Sequence, residues 1–171
     1  IPVVRVLRES LAADQIISIS GIVNGTTNYI LDQMALKGIS FDQALAQAQE
    51  QGYAEADPSA DIDGYDSAAK AAIMACLAFG QEIKLDDVDV EGIRSVSQAD
   101  VAAAAARGEV IRLLASISRD KPGSKNGSDC YTPGSSFPLH VSVKPVTLPK
   151  DHELAGIHGS YNAVAIKARY A

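Results

Sequence analysis

The chain has 171 residues, of which 47% are hydrophobic and 21% charged, and its formal net charge is −6. This length and composition are typical of one globular domain with its own core. The negative charge and the lack of any cluster of Lys and Arg argue against nucleic-acid binding. No apolar run approaches the ~20 residues that span a bilayer. We therefore expect neither a nucleic acid nor a membrane as a partner.

The first half of the chain is predicted to be mainly helical. Residues 2–12 show helical spacing of apolar residues, and residues 15–23 are rich in β-branched residues, as in a buried strand. Asn24 is a good N-cap for a helix that stops at Gly38. Further helices are predicted at 41–51, after the cap Ser40, at 65–79 and at 98–107.

The second half is predicted to contain most of the strands. Strand patterns occur at 109–120, 139–148 and 161–170, and a shorter one occurs within 86–97. Residues 121–137 have the composition of a loop. Helices early in the chain and strands late in it predict an α+β fold, with helices packed on one face of a mixed or mainly antiparallel sheet.

The two cysteines give no indication of a disulfide framework. Cys76 lies within the apolar helix, where a reduced thiol behaves as a small hydrophobe, and Cys130 lies in a Gly/Ser-rich loop. We therefore expect a reducing, cytoplasmic setting.

A run of carboxylates followed by a single lysine is the most informative chemical pattern. Asp66 and Lys70 are four residues apart at the start of the helix 65–79, so their side chains share one face. Between 67 and 81 no other side chain is ionised. A lysine in that setting can transfer a proton and hold a substrate oxygen, while carboxylates suit a substrate ammonium group. The pattern is equally typical of a surface ion pair and of acids that favour a helix N-terminus.

Other common chemistries lack their sequence signatures. No two glycines are separated by a single residue, and no P-loop motif occurs, so the main binding domain for any nucleotide is expected outside these residues. The calcium-like loop 57–64 lacks its bidentate glutamate, because Lys70 occupies that position. The cysteines and histidines lack zinc-site spacing, and no G-x-S-x-G turn exists. We expect no metal site.

Several longer motifs resemble one enzyme family. GIVNGTTNYIL (21–31), the stretch 41–80 and VEGI (90–93) are similar to the substrate-binding catalytic domain of homoserine dehydrogenase. The opening IPVVRVLRESL and the late HELAGIHGSYNAVAI fit the same family. The resemblance implies reversible NAD(P)H-dependent reduction of L-aspartate 4-semialdehyde to L-homoserine, a step towards threonine, methionine and isoleucine.

The resemblance also implies roles for individual residues. Lys70 would be the catalytic proton-transfer residue, Glu55 and Asp66 would bind the amino acid substrate, and Gly52 would lie close to the cofactor, NADP or NAD. The other acids of the motif are expected to shape the loop and cap helices; they are Asp57, Asp61 and Asp63.

The family's N-terminal Rossmann-type domain has no counterpart in this sequence. We therefore expect residues 1–171 to be a single catalytic, substrate-binding domain excised from a longer chain, with little dinucleotide binding or turnover alone. Family members pair through the neighbouring sheet, so a homodimer or higher homo-oligomer is expected. The alternative is a non-catalytic oligomerisation or amino-acid-binding module.

Overall fold

The computed structural model describes residues 2–119 and 139–170, which form six α-helices, a π-helix (Val6–Ser10), a short 3₁₀-helix (Leu85–Asp87) and a five-stranded sheet. The helices are α1 (Val3–Arg5), α2 (Gly25–Lys37), α3 (Phe41–Glu50), α4 (Ser59–Ile62), α5 (Tyr65–Phe79) and α6 (Gln98–Ala106). The strands are β1 (Ile16–Ile22), β2 (Asp89–Val90), β3 (Glu109–Ser118), β4 (His140–Pro149) and β5 (Ala163–Ala168). Among the helices in these residues, none combines the length and the apolar character needed to cross a membrane.

The sheet has the strand order β2-β4-β3-β1-β5. All neighbouring strands are antiparallel except β2 and β4, which are parallel, so the sheet is mixed. The longest ladder joins β3 to β4, from the pair Glu109 and Pro149 to the pair Ser118 and His140. The predicted α+β fold with a mixed sheet is confirmed.

The main core lies between the helices and one face of the sheet. Side chains alternate along β3, so Leu113, Ala115 and Ile117 join the large helix-bearing cluster, whereas Leu114 faces the other way. α2, α5 and α6 all pack against β3. The helices therefore cover one face, as predicted.

The opposite face of the sheet carries a smaller cluster and a row of serines. Leu114 packs there with Leu154 and Ala155 from the turn that follows β4. The serines pair in register across three strands and are partly exposed; they are Ser18, Ser20, Ser116, Ser118 and Ser142. This part of the face is polar and carries small side chains.

The predicted caps explain where the helices begin and end. The Asn24 side-chain oxygen accepts from the Thr27 backbone N–H at 2.9 Å at the start of α2, and Gly38 ends it with a φ of 66°. Ser40 and Gln43 form a capping box at the start of α3.

Most predicted elements are confirmed, and three differ. The helix predicted at 2–12 is a single α-helical turn at Val3–Arg5 that continues as a π-helix over Val6–Ser10. The strand predicted within 86–97 is reduced to Asp89–Val90, because the chain bends at Ile93 and turns through Arg94 and Ser95, where the Val96 backbone N–H donates to the Ile93 carbonyl at 3.1 Å. The acidic loop contains the one-turn helix α4. The sequence does not predict this helix, because the composition of the stretch is that of a turn. The loop predicted at 121–137 lies outside the described residues.

Candidate functional site

Asn24, at the start of α2, joins two carboxylates that are separate in sequence. Its Nδ2 atom donates to Asp61 Oδ1 at 2.7 Å and to Asp66 Oδ2 at 2.9 Å. The same side chain caps α2 through its oxygen, so the amide cannot rotate without losing the cap. The orientation of both carboxylates is therefore fixed by a buried residue.

Lys70 completes this network from the next turn of α5. Its ammonium donates to Asp66 Oδ2 at 2.7 Å and to the Val23 carbonyl at 3.0 Å. The Lys70 and Asp66 side chains are 47% and 33% exposed, so a small molecule can reach both. An ammonium has three donors, and these two contacts leave one for a ligand.

A pocket of about 230 Å³ lies beside Lys70. Most of its lining is apolar, and Lys70 and Asn162 supply its polar groups. The apolar contributors include Val23, Ile73, Met74 and Val164. An apolar recess with an ammonium at its edge can hold a flat or aliphatic group while one polar atom meets the lysine.

The backbone of the segment that contains Glu55 is hydrogen-bonded to α2 and α3. The Thr26 hydroxyl donates to the Tyr53 carbonyl at 2.7 Å, and Gln49 Nε2 donates to the Glu55 carbonyl at 3.1 Å. The Glu55 side chain is exposed, and its carboxylate has no hydrogen bond or ion pair to any residue that the structure describes. It is thus available to a ligand, although it does not join the Asn24 network.

Gly52 ends α3 with a φ of 75° and is exposed. A Cβ built on it would meet nothing within 4 Å, so its backbone is open to close approach. Gly52 does not line the pocket beside Lys70.

The remaining acids of the motif mostly shape the loop, as expected. Asp63 forms a two-atom ion pair with Arg94, whose guanidinium also donates to the Ser59 hydroxyl. Hydrogen bonds from Ser59 lower the pKa of Asp57 below its ordinary value. Asp61 is different, because its carboxylate belongs to the Asn24 network. Among residues 2–119 and 139–170, no group of three or more metal-ligating side chains is arranged to hold an ion.

The second role of Asn24 and the position of Asp61 are not predicted by the sequence. A cap asparagine uses its oxygen, which leaves its Nδ2 atom free, but spacing along the chain does not show what that nitrogen contacts. Asn162 was also missed, because it lies just before β5 in a segment whose only visible pattern was that of a strand.

The homoserine dehydrogenase family model matches residues 2–171. The homoserine dehydrogenase of Synechocystis sp. is 48% identical over 166 residues, which are 97% of this chain and 36% of that protein. The chain thus spans about a third of the length of such relatives.

Solved structures agree with this result. A homoserine dehydrogenase from Thiobacillus denitrificans superposes with a TM-score of 0.86 at 37% identity, over 98% of this chain and 36% of that one. A hyperthermophilic archaeal homoserine dehydrogenase mutant in complex with NADPH superposes with a TM-score of 0.74 at 32% identity, over 99% and 43% of the two chains. The family match, together with these likenesses, shows that the chain belongs to the homoserine dehydrogenase family.

Proposed function

We propose that these residues are the catalytic, substrate-binding part of an enzyme that interconverts L-aspartate 4-semialdehyde and L-homoserine with NADP or NAD. The observation that carries the proposal is the Lys70 ammonium, held by Asp66 and the Val23 carbonyl at the edge of an apolar pocket. The interconversion is the family's reaction, a step towards threonine, methionine and isoleucine.

Lys70 is the proton donor in the direction of reduction. As the aldehyde carbon accepts a hydride, the electron pair of the C=O double bond moves to oxygen, and that oxygen takes a proton from the Lys70 Nζ atom. The hydroxyl product and a neutral amine result, and solvent returns the proton because the side chain is half-exposed. In oxidation the neutral amine removes the hydroxyl proton.

Asp66 and Glu55 bind the ammonium group of the amino acid. Both are tied to the first residues of α2, Asp66 through Asn24 and the Glu55 segment through Thr26. Two carboxylates can form charge-assisted hydrogen bonds with one ammonium group and so orient the substrate. Such orientation brings the aldehyde end to Lys70.

The pocket beside Lys70 suits the nicotinamide ring of the cofactor. Its apolar side chains accommodate a flat ring, and the Asn162 amide matches a carboxamide in hydrogen-bonding type. When bound, the cofactor supplies or accepts the hydride. Gly52 lies outside this pocket, and its open backbone would admit another part of the cofactor. The archaeal relative in complex with NADPH supports this class of cofactor.

Replacement of Lys70 tests the proposal. In a full-length enzyme that contains these residues, NADPH oxidation by aspartate semialdehyde is measured for Lys70→Ala and for Lys37→Ala. We expect Lys70→Ala to reduce kcat by about 10²–10⁴-fold. Lys37 is a matched control, because it is an exposed lysine whose ammonium donates to Gln47 Oε1 at 2.9 Å and forms no ion pair among the residues described. Unchanged turnover in folded Lys70→Ala would refute the catalytic role and favour a non-catalytic binding module.

A second copy of the chain is proposed to cover the serine-bearing face of the sheet. Small side chains in register allow two sheets to approach to about 10 Å. Ser116 lies at the centre of the row, so Ser116→Arg should prevent two copies from associating. Ser95 is exposed elsewhere, and Ser95→Arg should leave the association unchanged. Sedimentation of the two variants measures this difference. A Ser116→Arg protein whose oligomer has the same mass as that of the unmodified protein would contradict the proposal.

A cytoplasmic location is proposed from the thiol chemistry. Cys76 is free and, unlike the packed thiol expected for the middle of an apolar helix, exposed. An exposed free thiol is suited to a reducing compartment.

A further inference from the structure

A ladder of three polar side chains runs along one face of α2. Asn24, Asn28 and Asp32 are spaced four residues apart, so they project from the same side of the helix. All three are buried. Asn24 holds the carboxylates of the candidate site, while the other two hold the segment 154–162. We infer that Asn28 and Asp32 are positioning residues that fix this segment as a wall of the pocket, an inference that rests on the proposed function.

Asn28 binds the segment through its backbone carbonyls. Its Nδ2 atom lies 3.1 Å from the Ile157 oxygen, 3.0 Å from the Gly159 oxygen and 3.1 Å from the Tyr161 oxygen. Three acceptors converge on one amide nitrogen across about 130 residues of sequence. No other side chain of this size could fill the position without losing the donors, because an aspartate would present oxygen to oxygen.

Asp32 binds the same segment one turn further along α2. Its carboxylate accepts from the Gly159 backbone N–H at 2.8 Å and lies 2.8 Å from His158 Nδ1. The buried Arg112 guanidinium lies 3.3 Å from the same carboxylate and donates to the Ala155 carbonyl at 3.1 Å. The charge of Asp32 is therefore compensated inside the fold, and Arg112 adds a further anchor for the segment.

The segment leads directly into the pocket. It contacts the start of α2 so closely that a Cβ on Gly25 would lie 2.7 Å from the Ser160 carbonyl. Two residues later, Asn162 lines the pocket with Lys70, and Val164 of β5 continues the wall. The position of Asn162 relative to Lys70 is thus set by α2, the helix whose cap also sets Asp66.

Two variants that act on the segment from different directions test this inference in the full-length enzyme. Asn28→Ala removes the donors, and Gly25→Ala pushes the segment away while improving helix propensity. Ile30→Val is the control, because Ile30 is a buried α2 residue of the opposite, helix-facing core. Hydrogen exchange of peptides covering 154–162 is measured together with kcat, KM and the urea midpoint.

We expect exchange in 154–162 to accelerate by about tenfold or more in both variants, the factor that corresponds to loss of ~1.4 kcal/mol of local protection. The KM for NADPH should rise by about tenfold, whereas kcat should change by less than threefold. The reason is that the segment lines the binding pocket and takes no part in the chemical step. Ile30→Val should change neither quantity. Gly25→Ala keeps the test decisive if Asn28→Ala fails to fold.

Unchanged exchange in 154–162 would overturn the inference, and so would faster exchange with unaltered KM. A purely structural role would lower the urea midpoint without separating KM from kcat. Full turnover in Lys70→Ala, measured in the same series, would overturn the proposed function instead. The exchange data would then still decide whether Asn28 holds the segment.

Discussion

Asn24 Nδ2 donates to Asp66 Oδ2 at 2.9 Å, and this bond joins the N-cap of α2 to the first turn of α5 across 42 residues of sequence. The same oxygen accepts from Lys70 at 2.7 Å. Asp66 therefore receives two donors on one oxygen, one neutral and fixed, the other charged. The position of the lysine therefore depends on an asparagine that acts on it through Asp66.

The first prediction separates the bridging role of Asn24 from its capping role. Aspartate is as good an N-cap as asparagine, but Asn24→Asp places a third carboxylate beside Asp61 and Asp66. We expect turnover to fall by about ten- to a hundredfold and the free energy of unfolding to fall by about 1–3 kcal/mol at neutral pH. Because protonation relieves the repulsion, the stability loss should shrink as the pH falls towards about 4.

Ser40→Asp is the control for Asn24→Asp, since it changes the N-cap of α3 next to the neutral Gln43. Urea unfolding and steady-state kinetics of the two variants are compared. Equal turnover in Asn24→Asp and Ser40→Asp would show that Asn24 only caps α2 and does not position the carboxylates.

The second prediction concerns the close contact between Gly92 and the acidic loop. A Cβ at Gly92 would lie 2.3 Å from the Ile62 carbonyl oxygen and 2.6 Å from Asp63 Cα, both backbone atoms. Gly92→Ala should therefore displace α4 and destabilise the fold by about 1–3 kcal/mol. It should also lower turnover, because Asp61 lies in α4.

Gly156→Ala provides the comparison for Gly92→Ala, because a Cβ there meets nothing within 4 Å. Its urea midpoint should match that of the unmodified protein. A Gly92→Ala protein with the same midpoint would contradict the contact.

The local structure of the chain follows from nearest-neighbour patterns. Asn24, Ser40 and Gly38 mark helix ends because capping involves residues two to four positions apart. Ile111, Leu113 and Ile117 lie at alternate positions, and this alternation indicates a strand for the same reason. Such patterns sufficed for the fold class and for the pairing of Asp66 with Lys70.

The contacts that build the candidate site are long-range, and spacing does not show them. Arg112 lies in a strand pattern that gives no reason to expect a buried guanidinium, since its partner Asp32 is 80 residues away. Asn28 looked like an ordinary helical residue, because its acceptors are carbonyls of a distant turn. The acidic composition of 53–63 indicated a loop and concealed α4, which depends on packing of Ile62 in the core.

The third prediction uses two capping boxes that differ in charge. Hydrogen bonds from Ser97 lower the pKa of Asp100 from its ordinary value of 3.8, whereas the partner of Ser40 is the uncharged Gln43. A carboxylate whose pKa is lowered in the folded state stabilises it above the unfolded pKa, and that stabilisation is lost as the pH falls through the folded value. The cost of Ser97→Ala should therefore be greater at pH ~6 than at pH ~3.

Ser40→Ala should cost about 1 kcal/mol at both pH values, because no group in its capping box titrates there. Urea unfolding of both variants at the two pH values measures the contrast. The same pH dependence in both variants would count against the assigned role of Asp100.

The fourth prediction concerns the buried ion pair of Asp32 and Arg112, whose side chains are almost completely enclosed. Burial lowers the pKa of Arg112, and the nearby Asp32 carboxylate opposes this effect. Asp32→Asn leaves the guanidinium without its counter-charge and should destabilise the fold by about 3–5 kcal/mol. Arg112→Met should cost less, because the carboxylate keeps the Gly159 N–H and His158 as partners.

The variant that carries both Asp32→Asn and Arg112→Met should therefore lose less stability than the two single variants lose together. The difference should be at least about 1 kcal/mol. A double-mutant cycle on the exposed ion pair of Arg107 and Glu109 is the control. Its coupling energy should stay below about 1 kcal/mol. Urea unfolding of each set gives both coupling energies. Additive losses at Asp32 and Arg112 would mean that the two groups are compensated separately, Asp32 by His158 and Gly159 and Arg112 by the Ala155 carbonyl. In that case the segment 154–162, rather than the ion pair, would be what keeps both charges inside the fold.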